Sequence, residues 1–227
     1  MVGAHPGTDP GRSYQVSRCT ASTAVSDHSG YPVPMPRSPR HGLLALAVAT
    51  VVAACGAGPA PSFDPAGPCT ADGRAPGAYP DLEALIPRTY QGVGPGTLDS
   101  GRNCTAANLG TLATFGITEV RFAGATWSFG AERAAVLAVF RATGLTADAL
   151  GTFYTDSARA AARTTIDNES APTIAGRAGH RLDTTTSERT QTVVVWPAAT
   201  AGQVDVVITN DLPDARIQDA IDAFAGR

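Results

Sequence analysis

The chain has 227 residues, a net charge of -3, and 17 cationic side chains, all of them Arg, so it contains no lysine. The missing amine excludes Walker-type phosphate loops, Schiff-base lysines and Ser–Lys dyads, and the acidic balance gives no electrostatic basis for binding nucleic acid. An apolar content of 43% with 16% charged residues marks a globular chain, while 24 Gly and 17 Pro imply long irregular stretches.

Residues 1–34 are rich in Gly, Ser, Pro and Thr and show no periodic apolar pattern. They read as a disordered extension or a mis-called start, with Met35 as the true initiator. From Met35 the order is Arg37, Arg40 and His41, then the apolar run Leu43 to Ala54, then Val52-Ala53-Ala54-Cys55 at its end. The run is too short to span a bilayer, which needs about 20 residues. It fits the h-region of an export signal. Charge, apolar length, small residues and cysteine in this order resemble the lipobox of bacterial lipoproteins. The resemblance implies a signal peptide over 35–54, and diacylglyceryl and palmitate on Cys55. It also implies residence outside the cytoplasm, held to the outer face of the cell membrane. A core helix ending in an ordinary cysteine is disfavoured, because the run is apolar on every face and opens onto Gly56-Ala57-Gly58-Pro59-Ala60-Pro61-Ser62. Residues 55–80 read as a flexible tether, and residues 81–227 as a single domain. From Cys55 onward 13 Arg stand against 18 acidic residues.

Within the domain, Asp81 to Ile86 reads as a short helix capped by Asp81 and stopped by Pro87. Gln91 to Arg102 reads as a Gly-rich loop. Thr105 caps a second helix with Leu109, Leu112 and Phe115 on one face and Gly116 at its end. Val120 to Trp127 and Ala134 to Arg141 read as strands joined by a hairpin containing Gly130. The longest helix starts at Thr146 and runs to about Arg163. Its apolar face carries Leu150, Phe153, Tyr154, Ala158 and Ala161. Three more strands follow: Thr173 to Asp183, kinked at Gly176 or Gly179, then Gln191 to Trp196 and Val204 to Thr209. Short polar links favour an antiparallel meander. Asp211 and Pro213 open a last helix that buries Ile217, Ala220, Ile221 and Phe224. The fold class is therefore α+β, one antiparallel sheet of about five strands with helices packed on one face. In element order it resembles the Mog1/PsbP-like group of exported domains, which implies a ligand- or protein-binding scaffold.

Once lipidation claims Cys55, and Cys19 falls before the mature start, Cys69 and Cys104 remain as a pair in an oxidising compartment and are expected to form a disulfide. Free thiols or a metal site are the alternatives, disfavoured by the lack of a His partner or a CxxC spacing.

Reactive side chains are sparse. The exported part has one histidine, His180, flanked by Gly179 and Arg181 on a strand, and a surface or half-buried place is the plainer reading of it. No G-x-S-x-G elbow exists. Asp167-Asn168-Glu169 reads as a polar loop, and Gly92-Val93-Gly94-Pro95-Gly96 follows no strand and opens no helix, so it reads as a plain loop. Asp183 and Glu188 are a conceivable carboxylate pair in space. Trp127 and Trp196 end predicted strands, where a Trp lines a ligand cleft or, more often, closes the core. Arg121, Arg177 and Arg181 stand on strands and either face an anion pocket or solubilise the outer face. The candidate ligand-binding residues are thus Trp127, Trp196, Arg121 and His180, with no catalytic residue, metal ligand or cofactor assigned. The expected function is a membrane-anchored binding or interaction module. Its partners are the membrane, through the lipid, and an unknown small ligand or envelope protein, with no nucleic acid. A lipid-tethered hydrolase-like enzyme and an accessory structural component of an envelope complex are the alternatives.

Overall fold

The computed structural model describes residues 63–187 and 189–225. In chain order these form β1 (Gly73–Ala75), α1 (Pro80–Glu83), β2 (Thr97–Asn103), α2 (Ala106–Leu109) continued by a 3-10 segment (Gly110–Phe115), β3 (Val120–Ser128), β4 (Ala134–Arg141) and α3 (Ala147–Ala160). There follow β5 (Thr164–Ser170), β6 (Thr173–Ile174), β7 (Arg177–Ala178), β8 (His180–Thr186), β9 (Arg189–Pro197), β10 (Gln203–Asn210) and α4 (Asp214–Ala225). Eight strands make one sheet in the order β1-β2-β3-β4-β10-β9-β8-β5, and β6 and β7 make a separate ribbon. Every neighbouring pair is antiparallel. The α+β class holds, with a sheet wider than about five strands.

Helices cover both faces of the sheet rather than one. In β9, Val193 and Val195 join a core with Leu112, Leu150 and Leu182, while Val194 and Trp196 join another with Leu82, Ile221 and Phe224. Alternate residues of a strand point to opposite faces, so an unbroken apolar run such as Val193 to Trp196 belongs to a strand buried on both sides. α3 and the 3-10 segment lie over one face, and α1 and α4 over the other. The stripe Ile217, Ala220, Ile221 and Phe224 of α4 is buried throughout.

Two strands arise where the sequence suggests loops. β2 occupies the second half of the expected loop Gln91 to Arg102 and is paired on both sides, with Gly101 opposite Phe122 on β3 and Arg74 on β1. A Cβ at Gly101 would lie 2.3 Å from the Gly73 carbonyl oxygen, so this polar strand depends on glycine. β5 contains the expected polar loop Asp167-Asn168-Glu169 and is an edge strand with a register shift between Ile166 and Asn168. Polar side chains and an irregularity are ordinary protection for an edge, and they erase the apolar alternation by which strands are recognised.

The helix starts also differ in detail. Tyr79, not Asp81, stands at the N-cap of α1, with Pro80 in the first turn. Asp81 instead pairs with Arg141 at 2.6 Å. The second helix is a single α-turn continued as 3-10, and Phe115 is 50% exposed rather than part of the buried face. Thr146 caps α3 as expected, its hydroxyl accepting from the Ala149 amide at 3.1 Å, and the helix ends at Ala160.

The stretch 63–80, expected as the end of the tether, is fastened to the sheet. Cys69 and Cys104 form a disulfide. Arg102, only 4% exposed, donates to the carbonyls of Asp64, Gly67 and Pro68 and lies over the Phe63 ring. The Asp72 carboxylate accepts from the amides of Cys104 at 2.5 Å and Thr105 at 2.9 Å, from the Thr105 hydroxyl, and from Asn108. It thereby ties the residues just before α2 to the segment before β1, while the Thr105 side chain gives α2 no capping hydrogen bond. Cys19, Cys55 and the signal segment lie outside the described residues.

Candidate functional site

The structure separates the two tryptophans. Trp127 is 2% exposed in the core between the sheet and α1; its Nε1 donates to the Val93 carbonyl at 2.9 Å, and its ring meets Tyr90 edge-on. Trp196 is equally buried but forms the back wall of a cleft of about 470 Å³. Its ring stands edge-on to Phe224 with centroids 5.9 Å apart. Leu85, Ala198 and Ala199 complete the apolar walls, and Arg177, Gln203 and Asp205 bring polar groups to them. The fold creates the cleft where β9 ends at Pro197 and the chain turns back into β10, placing Asp205 directly opposite Trp196. Of the four candidates Trp127, Trp196, Arg121 and His180, only Trp196 lines this cleft; it meets Arg177, one of the strand arginines, together with Leu85, Gln203 and Asp205, which sequence reasoning does not single out. The one available signal is Asp205 itself, an acid inside the apolar run Val204 to Val207 and 6% exposed.

Arg121 lies elsewhere. It is the cross-strand neighbour of both Arg102 and Arg141, so three guanidinium groups share one rung of β2, β3 and β4. Like charges in direct opposition repel, and the rung is accommodated because each finds separate partners. Arg102 takes the three carbonyls above, and Arg121 donates to Glu119 at 2.8 Å while lying over the Tyr79 ring. Arg141 takes Asp81 and Gln203.

His180 is half-buried in a polar contact between α3, β5 and β8. Its Nε2 is 3.3 Å from the Thr155 hydroxyl and 3.9 Å from Glu169, and Thr155 also donates to Glu169 at 3.2 Å. α3 passes so closely that a Cβ at Gly151 would lie 2.7 Å from His180 Cγ. With Thr155 only 2% exposed, the hydroxyl faces no substrate, so the contact ties elements together without presenting a nucleophile.

Asp183 accepts from Arg181, Thr192 and Asn168. Burial alone would raise its pKa, but these hydrogen bonds outweigh it and hold the carboxyl below its ordinary value. It is therefore a fixed anion, the opposite of a general acid. Its imagined partner Glu188 lies outside the described residues. Arg181 continues to Asp214 at 2.7 Å, joining β8 to the start of α4. The Gly92 to Gly96 segment is a loop, closed by the Tyr90–Val93 bridge. Among the described residues no group of three His, Cys, Asp or Glu is placed to hold a metal ion, and no helix is long and apolar enough to cross a membrane.

No protein-family model matches the chain, and no curated protein matches it. Among solved structures the chain is similar to cyanobacterial PsbP (CyanoP) from Synechocystis sp. PCC 6803, at 14% identity and a TM-score of 0.26, over 61% of this chain and 95% of that one.

Proposed function

We propose that the chain is a lipid-anchored extracytoplasmic protein whose folded body binds a small ligand with an apolar framework in the Trp196 cleft. The observation that carries the reading is the cleft itself. Its volume of about 470 Å³ is that of a small-molecule site, and it combines an aromatic back wall with a few polar groups at one side. Arg177 makes no ion pair among the described residues and donates one hydrogen bond, to the Pro197 carbonyl, so a ligand with an anionic end suits it.

Anilinonaphthalenesulfonate, an aromatic body with one sulfonate, is the matching probe. Its fluorescence should rise at a single saturable site on the full chain. Ala199→Trp, at an exposed loop position on the cleft wall, should weaken that site by about tenfold or more. Absence of saturable binding, or equal affinity in the variant, overturns the assignment.

The address rests on the lipobox-like Val52-Ala53-Ala54-Cys55. Cys55→Ser should move the protein from the membrane to the soluble fraction, or leave it unprocessed, and abolish incorporation of labelled palmitate. Unchanged membrane partition with unchanged labelling refutes the anchor.

A further inference from the structure

On the face beneath α3 the sheet changes character from one rung to the next. The rung Leu182–Val193–Ile208 is apolar, the following rung is Thr184–Gln191–Asn210, and beyond it Thr164, Thr186 and Arg189 stand in line. α3 seals the apolar rung with Leu150. Over the polar rungs its last turn and C-cap offer only small side chains, Ser157, Ala158 and Ala161. A groove of about 340 Å³ results.

The groove is furnished with uncharged hydrogen-bonding groups that the fold leaves unspent. Tyr154 lines it, and its hydroxyl has no hydrogen-bond partner among the described residues. Burial pushes this phenol well above its ordinary pKa, so it remains a neutral group able both to donate and to accept. Gln191 donates through Nε2 to Asn210 Oδ1 at 3.0 Å, leaving Gln191 Oε1 and the Asn210 side-chain amide hydrogens available. The Thr164 and Thr186 hydroxyls, bonded to each other at 2.7 Å, retain acceptor capacity. The one cation at the rim, Arg189, is already held by Asp211 and Glu132. Tyr154 is half-buried at the groove wall, so its hydroxyl is within reach of a ligand, and groups that alternate donor with acceptor beside Ala158 and an aromatic ring suit a ligand rich in hydroxyls and bare of charge.

We propose that this groove is a binding site for a neutral saccharide, separate from the Trp196 cleft. Ring hydroxyls would exchange hydrogen bonds with Tyr154, Gln191 and Asn210, and the sugar's C–H face would lie against the Tyr154 ring and Ala158. The test is saturation-transfer NMR on the full chain with maltotriose and chitotriose, beside the trimer of galacturonic acid as an anionic control. Both or either of the neutral trisaccharides should receive saturation. Tyr154→Phe, which keeps the ring, and Gln191→Ala, at an exposed position, should each weaken binding by about tenfold. Ala199→Trp should leave sugar binding intact, so failure of the Trp196 cleft and failure of this groove are distinguishable. No transfer to either neutral sugar, unchanged binding in both groove variants, or preference for the acidic trimer overturns the proposal.

Discussion

Replacing Cys69 and Cys104 by Ser is expected to destabilise the body by about 4 kcal/mol, read as a lower urea midpoint against the oxidised protein. The two cysteines are 35 positions apart, and closing a loop of that length removes conformational entropy from the unfolded chain on that scale. The loss should fall first on residues 63–75, which are otherwise held by the β1–β2 pairing, by Phe63 against Tyr79 and the core, and by two polar clamps. One is Arg102 with its three carbonyls, and the other is the Asp72 carboxylate with α2. Burial raises the Asp72 pKa, but the bonds from the Thr105 hydroxyl and amide, the Cys104 amide and Asn108 lower it more, leaving it below the ordinary carboxylate value. A pKa lowered on folding means that this clamp contributes fully above the unfolded carboxylate's pKa and is lost as pH falls through the lowered one. An unchanged urea midpoint in the double Ser variant would show that the strand pairing, Phe63 and the clamps secure the segment without the disulfide.

Trp127→Ala should cost about 3–5 kcal/mol. The side chain is 2% exposed, packs against Tyr90, and lies in the core cluster that also contains Leu82, Leu137 and Ile217. Trp127→Phe should cost far less, about 1 kcal/mol, because it keeps most of the apolar volume and loses one hydrogen bond to a Val93 carbonyl that also accepts from the Tyr90 amide. The pair of substitutions, followed by thermal unfolding, separates a packing role from a ligand role. The Phe variant should bind anilinonaphthalenesulfonate as the parent does. A neutral Ala variant would remove Trp127 from the core account.

Several elements were legible because burial imposes a period on the chain. β3, β4, β9, β10, α3 and α4 each carry enough apolar residues at spacing 2 or 3.6 to be recognised, and their bounds fall close to the expected ones. β2 and β5 lacked that signal for different reasons. β2 is stabilised by pairing on both sides and by a glycine that lets β1 approach, while β5 is an exposed edge whose polar residues discourage further pairing. The unbroken run Val193 to Trp196 did carry the news of two covered faces, but only the positions of α3 and α4 on opposite sides turn it into architecture.

By itself the sequence determined what is local or depends on counting: a lysine-free composition that removes whole classes of chemistry, the order of charge, apolar run and Cys55, and Cys69 and Cys104 as the remaining pair. Only the tertiary structure decided which of two similar tryptophans borders a cleft, which acid is a fixed anion, and which rungs of the sheet a helix leaves open. Those properties are set by neighbours distant in sequence. Trp196 owes its cleft to Leu85 and Phe224, Asp183 its charge to Arg181, Thr192 and Asn168, and the α3 groove exists because Thr184, Gln191 and Asn210 come from three strands. A hydrogen bond or a cavity wall depends on distance in space, and a one-dimensional pattern does not record that.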